Sequence, residues 1–253
     1  MQGQMDEVGG GKIPRALTVA GSDPSGGAGV QADVKTFTAL QVYGMSVITS
    51  LTVQNSVGVF AIYDLPPDFV AQQLDAVVSD VGVDAMKSGM LSHSGIIEVV
   101  ADRIQAYKIS RYVLDPVMRS KTGAVLLQPE AQKMLTRLLF PLALVVTPNL
   151  FEATALAGIP IHNLKDAMEA CRRIADFGSR YVLFKGGHLR EPEDTVIDVL
   201  YDGRNFLEFP AERIFTPHTH GLGCTLSSAI TAELAKNRGV EEAVKTAKIY
   251  VTK

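Results

Sequence analysis

Short apolar runs alternate with longer amphipathic stretches along nearly the whole chain, and few architectures accept that pattern. Ala16-Leu17-Thr18-Val19-Ala20 reads as a strand ending at Gly21. Over residues 29–40, Val30, Val34 and Phe37 recur at i, i+4 and i+7, which is one face of a helix. Strands are expected at 46–51 and 59–64, then a helix at 67–78 with Pro67 in its opening turn. A short strand at 84–88 precedes a helix at 94–107, where Ile96, Val100, Ile104 and Tyr107 form one stripe. Residues 112–115, 143–147 and 181–184 read as buried strands that run into Pro or Gly loops, with a helix at 164–177 between the last two. A hairpin over 195–200 and 205–209 turns at Asp202-Gly203, and helices at 222–236 and 240–253 close the chain. Strands alternating with helices imply right-handed crossovers and an α/β fold: a mostly parallel central sheet flanked by helices on both faces.

Composition narrows the class of partner. The 253 residues suit a single domain over residues 13–253, and residues 1–12, rich in Gly with two acidic residues and no apolar stretch, read as a flexible leader. Lys and Arg number 24 against 27 Asp and Glu, so the basic footprint of a nucleic-acid binder is missing. No apolar run has the length to span a bilayer. Two cysteines make no disulfide framework, which together with their motif context points to reduced thiols and a cytoplasmic setting. Cys171 lies in line with Ala167 and Ile174 on a helical stripe and reads as inert core. The histidines show no metal-ligand spacing, and the alternating pair His218 and His220 is assigned no zinc.

In parallel sheets ligands bind beyond the carboxyl ends of the strands, where several polar clusters of this sequence fall. Gly221-Leu222-Gly223-Cys224-Thr225 opens a helix. Its exposed amides and the helix dipole make an anion site, and a thiol there is expected to have a lowered pKa. The bland alternative is a glycine turn with a small buried Cys. Lys185-Gly186-Gly187-His188 follows a strand and aims a cation and two flexible amides at the ligand edge, as nucleotide phosphates require. Thr147-Pro148-Asn149 and Glu152 follow another strand, with Asn149 and Glu152 spaced as in a capping box. Asp115, ahead of Pro116-Val117-Met118, is a strand-end carboxylate that suits Mg²⁺ or water. The loop from Gly21 to Gly29 is glycine-rich but lacks the Lys-Ser/Thr ending of a P-loop. Asp33 and Gln54 are polar residues near it, each by itself readable as a solvated side chain.

Taken in order, these segments resemble the hydroxymethylpyrimidine/phosphomethylpyrimidine kinases, the thiamin-pathway branch of the ribokinase-like fold. The resemblance is carried by Ala20-Gly21-Ser22-Asp23-Pro24-Ser25-Gly26-Gly27-Ala28-Gly29-Val30-Gln31-Ala32-Asp33, Tyr43-Gly44-Met45-Ser46, Lys87-Ser88-Gly89-Met90-Leu91 and Asp115-Pro116-Val117-Met118. Thr147-Pro148-Asn149-Leu150, Lys185-Gly186-Gly187-His188 and the run from Thr219 to Ser228 complete it. It implies ATP-dependent phosphorylation of 4-amino-5-hydroxymethyl-2-methylpyrimidine to its monophosphate and then to the diphosphate. Carried over residue by residue, Cys224 is the base, with the Gly221–Cys224 amides, Gly223 among them, as the anion hole. Lys185 binds nucleotide phosphates, with Thr147 and Asn149 beside them and Asp115 and Glu152 on the Mg²⁺ side. The pyrimidine lies against Gly21, Ala28, Met90 and Val117, with Gln54 on its amino edge and Asp33 nearby. Relatives are often dimers, so a homodimer is expected.

Two departures stand out: Leu222 where the family usually carries Thr or a similar small residue, and an end at Lys253 inside a predicted helix. The alternatives are a pyridoxal or pyridoxine kinase of the same fold, a thiol hydrolase pairing Cys224 with His220, and a nucleotide-binding regulator without catalysis.

Overall fold

The computed structural model describes residues 12–120, 123–189, 193–216 and 218–252, so the expected leader, Lys12 aside, lies outside the described residues. Strands β1 (Arg15–Ala20), β2 (Tyr43–Ile48), β3 (Ser50–Asn55), β4 (Gly58–Asp64), β5 (Ala85–Ser88) and β6 (Tyr112–Leu114) are followed by β7 (Val145–Val146), β8 (Tyr181–Phe184), β9 (Thr195–Tyr201) and β10 (Phe206–Glu212). Eight of them form one sheet in the order β10-β9-β8-β7-β6-β5-β1-β2. From β8 to β2 every pairing is parallel, and the β8–β9 and β9–β10 pairings are antiparallel.

The helices are α1 (Gly29–Ala39), α2 (Pro67–Asp80), α3 (Ser94–Ala106), α4 (Pro129–Met134), α5 (Leu150–Ala157), α6 (Leu164–Ala175), α7 (Leu222–Ala235) and α8 (Val240–Thr252). Because side chains of a strand alternate between faces, the sheet feeds two apolar layers. Leu17 and Val19 join Leu74, Ile96, Val100 and Ile174 in one, built with α2, α3 and α6. Ala16, Ala85 and Val113 join Phe37, Ile230 and Val244 of α1, α7 and α8 in the other. Thr18 and Lys87 are register partners on β1 and β5, so they project together into the second layer.

Three local expectations change. The strand expected at 46–51 breaks at Thr49, because the Thr49 hydroxyl donates to the Met90 carbonyl at 2.8 Å and the Ser22 amide donates to the Ser50 carbonyl at 2.8 Å. The chain leaves the main sheet there, and β3 pairs only with β4 in a two-stranded ribbon with a register shift at Val53/Gln54. α4 was not expected; it runs on through a π-helical turn (Leu135–Leu139) into a 3-10 turn (Phe140–Leu142). The segment after β8 is a 3-10 turn (Gly186–His188) where only a loop was read.

Candidate active site

The parallel ladder carries the loops that follow each strand to one edge. Gly89 donates to the Val19 carbonyl, Asp115 to Ser88 and Thr147 to Leu114, each at 3.0 Å, and Lys185 to Pro148 at 2.9 Å. The glycine-rich loop leaves the same edge after β1, and α7 comes down onto it.

That approach is possible only because two glycines meet there. Gly221 has φ +78°, and a Cβ on it would lie 1.7 Å from the Gly27 carbonyl oxygen. Gly29 has φ +57°, and its Cβ would lie 2.4 Å from the Gly21 oxygen. Both conditions, a left-handed backbone and backbone contact, exclude a side chain. The two loops are also bonded: His220 Nε2 lies 2.8 Å from Asp23 Oδ2, and the Asp23 carboxylate accepts the Ser25 and Ala28 amides at 2.9 Å each. His220 is therefore held by Asp23, while the Cys224 sulfur receives the backbone amide of Gly29. The Cys–His pairing required of a thiol hydrolase is not the arrangement seen.

The thiol corrects one expectation. Burial pushes Cys224 up to about 11, and the nearby Lys87 ammonium and the Gly29 amide offset only part of this. A lowered thiol pKa was expected from the helix terminus; desolvation of the charged form outweighs it. Cys171 is wholly buried, as expected, with its thiol pushed up to about 12. Leu222, the departure at the first position of α7, is 46% exposed, so its bulk points to solvent and not into the loop contact.

Opposite α7 stands a cation between carboxylates. Lys185 Nζ lies 2.8 Å from Asp115 Oδ1 and 3.9 Å from Glu152 Oε2, and a Cβ on Gly223 would be 3.4 Å from it. The ammonium thus borders the first turn of α7. Burial works against its charge, but Asp115 and Glu152 outweigh that and raise its pKa. Glu152 is pushed up to about 7 by burial, with Lys185 pulling it back and Asp115 adding to the rise. Thr147 is fully buried and donates to Asp115 Oδ1 at 3.2 Å. The Asn149 side-chain oxygen accepts the Phe151 and Glu152 amides at 2.9 and 3.0 Å, and the Glu152 carboxylate in turn accepts the Asn149 amide at 2.8 Å, a complete capping box. Both residues, expected beside the nucleotide, spend these groups on aligning Asp115 and starting α5. Among the described residues no three His, Cys, Asp or Glu side chains gather as a metal cage.

On the other side, a Cβ on Gly21 would lie 3.1 Å from Met90 Sδ, so these two are in contact. Ala28 caps α1 beside them. Gln54, half-buried, accepts from the Thr52 hydroxyl at 3.3 Å, and that hydroxyl also reaches the Ser22 carbonyl at 2.8 Å. The ribbon face carrying Gln54 thus turns towards the glycine-rich loop. Val117 is half-buried in the turn after Asp115, its amide 2.8 Å from the Asp115 carbonyl. Asp33 is not beside an open pocket. It is fully buried and accepts Thr18 Oγ1 at 2.6 Å, Lys87 Nζ at 2.7 Å and Ser228 Oγ at 2.6 Å. Lys87 is the residue that sequence reasoning passed over, quoted as part of a motif and given no role. The signal was a lysine in a strand otherwise made of core residues.

The fold is that of small-molecule kinases with a ribokinase-like sheet. A crystal structure of phosphomethylpyrimidine kinase from Clostridium difficile 630 superposes with TM-score 0.83 at 45% identity, covering 95% of this chain and 98% of that one. An ADP complex of Bacillus subtilis pyridoxal kinase gives 0.86 at 42% identity, covering 94% and 90%. The chain belongs to the phosphomethylpyrimidine kinase family, whose sequence model matches residues 23–253. The hydroxymethylpyrimidine/phosphomethylpyrimidine kinase of Bacillus subtilis (strain 168) is 44% identical over 240 residues, 94% of this chain and 88% of that protein. Membership implies ATP as the phosphate donor.

Proposed function

We infer that the chain transfers the γ-phosphate of ATP to the hydroxymethyl group of 4-amino-5-hydroxymethyl-2-methylpyrimidine, and then adds a second phosphate to the product, as steps of thiamin biosynthesis. The observation that carries this reading is the approach of Lys185 and the α7 amides to one point of the sheet edge, next to the Gly21–Met90 contact. Phosphoryl transfer depends mainly on positioning and charge stabilisation, and this edge offers both. The amides from Gly221 to Cys224 face developing negative charge, Lys185 neutralises nucleotide phosphate, and Gln54 hydrogen-bonds the amino edge of the ring. As the substrate oxygen bonds to phosphorus and the bond to the ADP oxygen breaks, the hydroxyl proton passes to the Cys224 sulfur.

Asp115 and Glu152 fit a magnesium ion held through one or two carboxylates, water and substrate phosphates; when bound, it spreads positive charge over those phosphates. Asp33 acts from below the site and not on the ring. Thr147 and Asn149 support the nucleotide side through Asp115 and the α5 cap.

The β3–β4 ribbon supports a homodimer. Leu51 and Val53 of β3 pair with Tyr63 and Ala61 of β4, and Leu51, Val53 and Tyr63 are 46, 60 and 65% exposed. An apolar face of this kind suits a second copy of the chain. Sedimentation of a Val53→Asp variant as monomer, against a wild-type dimer, checks it. Among the described residues no helix is long and apolar enough to cross a membrane.

The test of the reaction is phosphate-resolved chromatography after incubation with Mg²⁺-ATP and either the pyrimidine or pyridoxal. The expected result is pyrimidine monophosphate followed by diphosphate. Phosphorylation of pyridoxal alone would favour the second reading, which the likeness to pyridoxal kinases supports.

A further inference from the structure

Lys87 is a fully buried ammonium on a central strand that the reaction scheme leaves unused. Burying such a charge is costly unless it is paired. Its pairing here is specific: Asp33 Oδ1 of α1 at 2.7 Å and the Cys224 carbonyl oxygen at the start of α7 at 3.4 Å. Asp33 is itself fixed by Thr18 of β1 and Ser228 of α7. The cluster therefore links two strands and two helices at the Cys224 carbonyl.

We propose that Lys87 is a positioning residue for Cys224, holding its carbonyl in the first turn of α7 and supplying the positive charge that lets the sulfur take the substrate proton. Asp33 tunes that charge. The proposal rests on the reading of Cys224 as the base. Other charged groups face the sulfur as well: Asp115 after β6 and Lys185 after β8, along with the Gly29 amide. Lys87 differs from the other two charged side chains in touching the Cys224 residue, at its carbonyl, while being shut off from solvent, where its charge is screened least. Burial opposes that charge, but Asp33, with smaller contributions from Cys224 and Asp115, holds the lysine protonated.

Thiolate content can be read without substrate. Alkylation by iodoacetamide, quantified on the Cys224 peptide between pH 7 and 10, follows the ionised fraction, with buried Cys171 as internal control. A charge within a few ångströms shifts a pKa by about one unit or more, which is about tenfold in rate at fixed pH. Lys87→Met should slow alkylation by about that factor. Lys87→Met strands a buried carboxylate and can fail to fold, so Lys87→Met/Asp33→Asn, without either charge, is measured beside it. The double variant should stay folded by circular dichroism and react more slowly than wild type, because Lys87 acts on the sulfur more strongly than Asp33 opposes it. A double variant reacting as fast as wild type overturns the proposal. The kcat pH profile separates the two readings. Shifted alkylation without a shifted profile supports the coupling and removes Cys224 from proton transfer.

Discussion

His220 Nε2 and Asp23 Oδ2 lie 2.8 Å apart although 197 residues separate them in sequence, and this contact ties the anion-binding turn to the glycine-rich loop. Across it, Gly221 rests on the Gly27 carbonyl. Removing the imidazole should let the two loops separate. A hydrogen bond to a charged group contributes about 1.5–3 kcal/mol, so His220→Ala should lower kcat/KM for the pyrimidine by about tenfold to a hundredfold. Steady-state kinetics on a variant with an intact circular dichroism spectrum checks this, and an unchanged kcat/KM would show that the clasp is dispensable.

The same carboxylate gives a pH signature. Burial disfavours its charge, but the bonds from His220, Ser25 and the Ala28 amide outweigh it and hold Asp23 below its ordinary value of 3.8. A depressed carboxylate adds stability above its unfolded value and loses it as pH falls through the lower folded value. The Tm difference between wild type and Asp23→Asn should therefore be full at pH 6 and shrink below about pH 4. A difference that grows on acidification would contradict the assignment.

Gly221 tests the loop contact from the other side. An alanine there meets both a left-handed φ of +78° and the Gly27 carbonyl, so the turn must move. Displacing one oxyanion-type donor costs about 10²–10³-fold in kcat. Gly221→Ala should lose at least that while Tm drops by about 2–8 °C, the span expected for about 1–2 kcal/mol in a domain of this size. Differential scanning fluorimetry beside kinetics separates the two effects.

What could be read from sequence was local. The strand at Ala16–Ala20, the glycine loop after it and the Asn149–Glu152 cap are each written within a few residues, and the cap is present atom for atom. The features missed depend on partners far along the chain. Asp33 sits in a helix beside polar and apolar residues alike, and its burial is decided by Lys87, 54 residues away, and Ser228, 195 residues away. The helix terminus under Cys224 is visible in the sequence; the burial that overrides it is not. Likewise, the break at Thr49 follows from the Met90 carbonyl, which no local propensity encodes.

Gln54 separates ring recognition from phosphate handling. Its amide stands on the ribbon face that turns to the glycine loop, bonded to Thr52, which in turn reaches Ser22. Gln54→Ala should weaken the pyrimidine by about 1–3 kcal/mol, through loss of the partner of a buried amine, and leave the KM for ATP in place. Isothermal titration with the pyrimidine and kinetics with varied ATP read the two arms; equal losses on both would mean that Gln54 supports the fold and not the ring.

Cys224 carries the sharpest expectation, because two opposing effects meet on one sulfur. Its thiol, pushed up to about 11 by burial, is protonated in the free enzyme at neutral pH, so only a small ionised fraction can accept the hydroxyl proton. Wild-type kcat should then rise steadily with pH from neutral into the mild alkaline range, with no plateau until the thiol itself titrates. General-base help is worth about 10²–10⁴-fold, so Cys224→Ala should lose about that much in kcat and the rise with pH as well. The backbone amide survives the substitution, so the KM for ATP should stay close to wild type. If the sulfur only fills space, the same variant loses up to about 1–2 kcal/mol of stability and keeps its turnover. The kcat pH profile and the Tm of one alanine variant decide between these. Near-wild-type turnover with the slope intact in a folded protein would leave the amides and Lys185 to carry the transfer alone.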